Sequence, residues 1–412
     1  MKKDSKAQNP SDSNNQSRQN DNIHGIIGAI IGDISGSSME KWKRRAIPRN
    51  YTFFNPSSGS ITDDSVLTVA VADALLHQKP YRDTLVEWGK KYPRAGYGRG
   101  FEKWLRHPEI QGDSFGNGAA MRVSAVGFRC NSLENVLETA KESAVPTHSH
   151  KKGIRGAQAV AVSIYLARTG SSKEDIRKYV EKKFKYNLDL TDDDILKMRS
   201  HQPKGGYNWA ETTVPIAIIA FLNGTDFEDV VRTAVCYGID TDTIGAMAGS
   251  IASAFYGVPK ELAEQAATYI PKDMLDIVNE CDDSNLPNHR VIPAKYGRWG
   301  DNCIMVFGSN SDNTFGEIGS SDTKVYPYHW NPFKGFNIRT IDVSLEETKQ
   351  DVERLIAEVN QNPNNLYLVQ NVGLGDSQIG METMAPLLRP LADKENVYLY
   401  KEYREYFNSE AE

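Results

Sequence analysis

The stretch ITDDSVLTVAVADALL (61–76) and its counterpart GIDTDTIGAMAGSIASAFYGVP (238–259) decide the fold of this 412-residue chain. Each opens on a knot of aspartate and threonine and runs into a helix of small apolar residues. Ser65 to His77 is apolar on most of its circumference, which predicts a buried helix. Ile244 to Tyr256 is built largely from Gly, Ala and Ser, and Gly257 and Pro259 stop it. Small side chains let helices approach closely, so both helices are expected at the centre of the molecule.

Outward from these two, the same character continues. Leu133 to Ser143 has amphipathic spacing, and Gly156 to Arg168 is small and apolar with Gly170 as its C-cap. Val214 to Leu222 is an apolar run ended by Asn223-Gly224. Strand-like alternation is scarce before about residue 290, so residues 22–285 read as one mostly α-helical domain. Ahead of it, residues 1–21 are rich in Asn, Ser, Gln and Asp and have almost nothing to bury, which predicts a disordered polar tail. Behind it, residues 286–301 read as a linker. Residues 302–412 then alternate strand and helix signals. Cys303 to Phe307 is a strand followed by a turn at Gly308-Ser309-Asn310, Leu345 to Val359 is a helix, Leu366 to Val369 is a second strand running into Gly373-Leu374-Gly375, and Asn396 to Tyr400 is a third. A small α/β domain follows from that order.

Bulk properties exclude several function classes. The net charge of -6 argues against a sequence-independent nucleic-acid binder, which needs a basic face. One basic run, Lys41 to Arg45, reads either as a solvated loop or as a phosphate site beside a cleft. The four cysteines form no CxxC pair and suggest neither a zinc site nor a disulfide framework, so a reducing cytoplasm is the expected setting. Met1 to Asn20 carries no apolar signal region, and no stretch reaches the roughly 18–20 apolar residues of a membrane helix.

Either aspartate cluster alone reads equally well as a helix cap, since Asp and Thr are favoured at helix starts and carboxylates suit the dipole there. As a pair they call for more. A cap needs one oxygen, whereas each cluster supplies two carboxylates and a hydroxyl. Four carboxylates in one place repel unless cations sit among them. Mg²⁺ takes hard oxygen ligands, and two such ions roughly 3.5–4 Å apart can hold a diol or phosphate and activate water. The GNGAAMR stretch, with Asn117, Gly118, Met121 and Arg122, reads as a turn before a helix or as backbone brought close to an anion. His148 and His150 form an HxH pair, too few ligands for zinc without an added acid.

These stretches resemble the ADP-ribosylglycohydrolases, the group that includes the dinitrogenase reductase-activating glycohydrolase. The matching segments run in family order: GAIIGDISGSSME (28–40), ITDDSVLTVAVADALL (61–76), YPRAGYGRGF (92–101), DSFGNGAAMRVSAVG (113–127), PTHSHKKGIRGAQAVA (146–161) and GIDTDTIGAMAGSIASAFYGVP (238–259). The resemblance implies an orthogonal all-helical fold with two Mg²⁺ ions, Mn²⁺ being the expected substitute. By position it makes Thr62, Asp63, Asp64, Asp240, Asp242 and Thr243 metal ligands. It makes Asp63, Asp242 and Glu40 the catalytic groups, with Glu40 as a gate or acid/base. It assigns Gly116, Asn117, Gly118, Met121, His148 and Gly153 to ADP-ribose. It implies a substrate in which ADP-ribose is joined to a protein side chain, arginine foremost, and release of that ADP-ribose by water. Protection against an ADP-ribosylating toxin, with the tail or the α/β domain contacting the toxin or target, is a further expectation. Alternative readings are a non-catalytic ADP-ribose-binding or structural protein, and a hydrolase of ADP-ribosylated small molecules or nucleic acid. Two departures stand out. Ile239 replaces the second glycine of the usual GGD, and Lys151-Lys152 replaces the usual Pro-Glu. The C-terminal MVFGSN (305–310) and LYLVQNVGLGDSQIG (366–380) resemble a small bacterial α/β domain whose Gly-rich loops read as ordinary turns or as a nucleotide cradle. That domain's RHGAGAA-like region is replaced by Asn313 to Glu317.

Overall fold

A computed structural model of the chain describes residues 22–40, 46–201, 208–284, 286, 303–310, 334–341, 343–362, 365–374, 379–392, 394, 396–400, 402–403 and 406–407. The N-terminal tail, the basic run at 41–45, the linker beyond 286 and the stretch 313–317 lie outside the described residues. The chain divides into two compact units, Met1–Pro287 and Asn288–Glu412.

The first unit is helical. Its elements are α1 Ile27–Ser37, α2 Asp63–Leu76, α3 Tyr81–Lys91, α4 Arg99–Arg106, α5 Ser124–Arg129, α6 Leu133–Ala144, α7 Lys151–Arg168, α8 Lys173–Phe184, α9 Asp192–His201, α10 Ala210–Asn223, α11 Phe227–Cys236, α12 Thr241–Tyr256, α13 Lys260–Ala267 and α14 Lys272–Asp282. One continuous apolar cluster runs through it, and α2 and α12 lie inside that cluster as expected. Both helices start earlier than their apolar runs. α2 begins at Asp63 and α12 at Thr241, so the acidic residues occupy the first turns, where the helix dipole favours negative charge. The helix at 156–168 likewise starts at Lys151, because the His150 side chain caps it. Its cap residue at the other end is Thr169, and Gly170 follows at φ +86°.

Helices α1 and α12 pack antiparallel with their backbones almost touching. A Cβ built on Gly32 would stand 2.0 Å from the Gly245 carbonyl oxygen, and one on Gly36 2.2 Å from that of Thr241. Only glycine permits this approach. The consequence is positional: Asp33, between those two glycines, is pressed against the first turn of α12.

The second unit holds β1 Cys303–Asn310, β2 Lys334–Ile341, α15 Leu345–Gln361, β3 Leu366–Val369, α16 Met381–Leu388 and β4 Val397–Leu399. The strands form one parallel sheet in the order β2-β1-β3-β4, with an apolar cluster of its own. The expected turn at Gly308-Ser309-Asn310 is instead strand, paired through Gly308–Ile338 and Ser309–Arg339 to a partner, β2, that carried no signal in the sequence. Among the described residues β2 is an edge strand of the sheet, so its sequence need not be continuously apolar. Among the described residues, no helix is long and apolar enough to cross a membrane.

Candidate active site

At the junction of α1, α2 and α12, Asp33, Asp64 and Asp242 each place a carboxylate oxygen within 4.8 Å of the others, and all three are buried. The local chemistry explains how each arrives there. Thr62 precedes α2 in extended conformation, and its Oγ1 accepts the Asp64 N–H at 3.2 Å, so the capping role is real for this residue. The stronger cap comes from another helix. Asp33 Oδ2 accepts from Thr62 N at 2.6 Å and Ser65 N at 3.1 Å, and also from the Ser65 hydroxyl. Asp33 therefore docks the start of α2 onto α1. Asp240 sits at the cap position of α12 yet makes no side-chain cap bond. Its Oδ2 instead accepts from Asn117 Nδ2 at 2.7 Å. The two hydroxyls of the clusters converge on one atom: Thr62 Oγ1 and Thr243 Oγ1 each lie 3.2 Å from Asp64 Oδ2.

So many carboxylates in a closed space leave an electrostatic debt. Burial, then the charge of Asp242, pushes the Asp33 carboxyl up to about 6. Burial, then Asp242, Asp33, Asp63 and Asp240, pushes Asp64 well above the ordinary carboxylate range. Asp64 Oδ1 and Asp33 Oδ1 are buried with no hydrogen-bond partner. Buried polar atoms are rarely left so. A hard divalent cation resolves all three features at once: it neutralises the repulsion, restores the carboxylates and gives the orphaned oxygens a partner. The donor set fits such an ion, being carboxylate and hydroxyl oxygen throughout.

The expected substrate loops surround this cluster. Asn117 opens a 3₁₀ turn, Asn117–Ala119, and its side chain ties that turn to Asp240. Met121 is buried, and its carbonyl accepts from Thr68 of α2 at 3.4 Å. His148 lies edge-on to the turn. A Cβ on Gly118 would meet its Cε1 at 3.0 Å, and a Cβ on Gly153 would meet its Cβ at 3.0 Å. Gly116, Asn117, Gly118, His148 and Gly153 are thus one neighbourhood, bridged by backbone pairings of Asp113 with His148 and of Gly116 with Trp209.

A comparison of the chain with known families then settles the class. The family model described as ADP-ribosylglycohydrolase matches residues 15–289. This chain belongs to the ADP-ribosylglycohydrolase family. It is a glycohydrolase enzyme on a mostly helical fold, with a buried aspartate triad able to bind a metal. Human ADP-ribosylhydrolase ARH3 is 26% identical to this glycohydrolase over 326 residues, covering 61% of this chain and 90% of that protein. The ADP-ribosylarginine hydrolase Tri1 of Pseudomonas putida (strain GB-1) is 25% identical over 276 residues, covering 59% of this chain and 73% of that protein. A solved chain described as an ADP-ribosylglycohydrolase-related protein complex aligns with a TM-score of 0.45 at 23% identity, covering 65% of this chain and 95% of that one.

Within the glycohydrolase, the structure gathers Thr62, Asp64, Asp240, Asp242 and Thr243 in buried positions, with Asp63 half-buried beside them. The Asp63 N–H is held by the Ala95 carbonyl at 2.8 Å, which fixes the 92–98 loop against the cluster. Glu40 is half-buried just past the end of α1. The HxH pair separates: His148 faces the Gly118 turn, while His150 Nδ1 caps α7 by accepting from Lys152 N at 3.1 Å. Lys152 in turn is paired with Glu211 at 2.8 Å. Sequence reasoning missed Asp33. Its signal was present, a lone acid in the apolar helix IGAIIGDISGS, on the side that carries Gly32 and Gly36. It also missed the aromatic group at the rim, where the 42%-exposed Phe115 meets Trp209 at 5.6 Å and His150 at 5.7 Å.

Proposed function

We propose that this enzyme hydrolyses the glycosidic bond between ADP-ribose and a modified protein side chain, arginine foremost, and so reverses mono-ADP-ribosylation. The observation that carries the reading is the buried carboxylate cluster at the head of α2 and α12, with an orphaned Asp64 oxygen inside it. Similarity to an ADP-ribosylarginine hydrolase supports arginine as the first linkage to test.

Thr62, Asp63, Asp64, Asp240, Asp242 and Thr243 would hold two Mg²⁺ ions, with Mn²⁺ as a substitute. When bound, these ions supply Lewis-acid polarisation and a template for the ribose hydroxyls. The remaining work falls to the chain. The Gly116–Gly118 turn, Met121, His148 and Gly153 bind the ADP-ribose and orient its distal ribose over the aspartates. Asp63 takes a proton from the attacking water, a role supported by its being half-buried where Asp64, Asp240 and Asp242 are buried. Asp242 shares that duty from the first turn of α12, and Glu40 acts as the acid/base group from the end of α1. Water forms the new bond to the anomeric carbon, the bond to the side-chain nitrogen breaks, and that nitrogen gains the proton. The tail and the α/β unit are assigned to target or toxin recognition.

The test is a panel of proteins ADP-ribosylated on arginine, serine or glutamate, each incubated with Mg²⁺ or with chelator. Release of ADP-ribose from the arginine-linked protein, lost in chelator and lost in Asp242→Asn, is expected. Equal release in chelator would sink the metal assignment, and release from serine alone would sink the arginine assignment.

A further inference from the structure

His148 stands against the substrate turn, but what it offers there depends on which ring nitrogen carries the proton, and its surroundings answer that. Arg122 is fully buried in the second half of GNGAAMR. Its Nη2 donates to the Ser143 carbonyl at 3.0 Å and to the Thr147 hydroxyl oxygen at 2.8 Å. That same hydroxyl lies 2.6 Å from His148 Nδ1. Thr147 is clamped on every side: its N–H donates to Ala144 O, and its carbonyl accepts from Ser114 N. Thr147 is 5% exposed and His148 7%, so water does not compete freely for either group.

A threonine hydroxyl has one hydrogen to give. Arg122 has no acceptor capacity, so on that side Thr147 Oγ1 must accept. Among the described residues the only other partner of that hydroxyl is His148 Nδ1. If Nδ1 carried a proton and donated it, the threonine hydrogen would be buried without an acceptor. The satisfied arrangement runs one way: guanidinium to hydroxyl to Nδ1. His148 is then neutral with its proton on Nε2. Its pKa is pushed down to about 3 by burial and by Arg122, in keeping with a neutral ring. Nε2 has no hydrogen-bond partner among the described residues, and it lies 3.1 Å from where a Cβ on Gly118 would stand and 3.8 Å from one on Gly116.

We propose that Arg122 and Thr147 are positioning residues: they lock His148 as its Nε2–H tautomer, making it a fixed donor to an acceptor atom of the bound ADP-ribose unit. The inference rests on the functional reading for its ligand but not for the relay itself. It also gives the buried guanidinium a purpose. A cation at one end of a hydrogen-bonded chain polarises it and strengthens the donor at the other.

The test uses the full chain with ¹⁵N-labelled histidine rings, the His148 signals being assigned by their loss in His148→Gln. In the free enzyme, Nδ1 should show an unprotonated shift and Nε2 a protonated one. The opposite pattern, or a mixture of tautomers, would overturn the relay whatever the enzyme's substrate is. Adding ADP-ribose should move the Nε2–H signal downfield; no movement on demonstrated binding would overturn the donor role. Adenosine and ribose 5-phosphate, added separately, tell whether the acceptor lies on the adenosine half or the ribose-phosphate half of the ligand. Thr147→Val should weaken ADP-ribose binding about tenfold, the loss expected of one oriented hydrogen bond. Thr147→Ser should restore both affinity and tautomer. Failure of the serine variant to restore them, with its fold intact by circular dichroism, would count against the relay and in favour of simple packing.

Discussion

Asp33→Asn is the most informative single change, because Asp33 both docks α2 and adds charge to the cluster. The amide keeps the acceptor that Thr62 N and Ser65 use, so the docking can survive. What changes is the orphaned oxygen, which becomes an N–H₂, and the negative charge that Asp33 adds beside Asp64 and Asp242, which is lost. The Asp33 carboxyl rises from 3.8 to about 6 in the fold. A raised carboxyl stabilises the fold fully below its ordinary value and loses that contribution as pH climbs through about 6. That rise corresponds to ~3 kcal/mol of destabilisation in the ionised, metal-free protein. In chelator, the unfolding temperature of the wild type should therefore fall more steeply between about pH 4 and pH 7 than that of the variant, which keeps the raised carboxyls of Asp64 and Asp282 but loses that of Asp33. Near neutral pH the metal-free variant should be the more stable of the two. With Mg²⁺ present the order should reverse, since ligand binding to the native state adds stability that the variant, one carboxylate poorer, gains less of. Calorimetric unfolding with chelator and with Mg²⁺, across that pH range, reads all of this. If the metal-free variant were less stable near neutral pH, or if Mg²⁺ stabilised both proteins equally, the account of the cluster as a cation site held under repulsion would be wrong.

Gly32→Ala should cost at least about 1–3 kcal/mol, because its Cβ would stand 2.0 Å from the Gly245 carbonyl and neither helix backbone can yield without moving the other. Activity should fall further than stability alone explains, as separation of α1 from α12 carries Asp33 away from Asp242; denaturant unfolding and ADP-ribose release, measured together, check both. Asn117→Ala removes the 2.7 Å bond to a buried carboxylate, an interaction of roughly 1.5–3 kcal/mol, so the unfolding midpoint should fall by about 3–10 °C and turnover should drop about ten- to a hundredfold. A turnover unchanged in that variant would separate the glycine turn from the aspartate cluster.

Much of the helical unit was legible in the chain itself. The small apolar runs at 65–77 and 244–256 specify buried helices whatever surrounds them, and the acid-threonine knots ahead of them mark their starts. The order of motifs also identified the family. The α/β unit was less legible: its central strands β1 and β3 are apolar runs, whereas β2, KGFNIRTI, takes its place from pairing with β1 and not from its own pattern.

In the site, the boundary between sequence and structure falls on particular side chains. The sequence determined that two clusters of aspartate and threonine stand at helix starts, and that glycines, a histidine and an arginine lie in between. It did not determine which carboxylates meet. Thr62 proves to be both cap and cluster member, while Asp240 stands at the cap position without a side-chain cap bond and is held by Asn117 from 123 residues away. Asp33 joins the cluster because Gly32 and Gly36 let two backbones touch, and that contact exists only once α1 and α12 are packed. A local pattern reports what each residue does for its own helix. The charge that Asp33, Asp64 and Asp242 impose on one another depends on distance through space, and only the tertiary fold sets that distance.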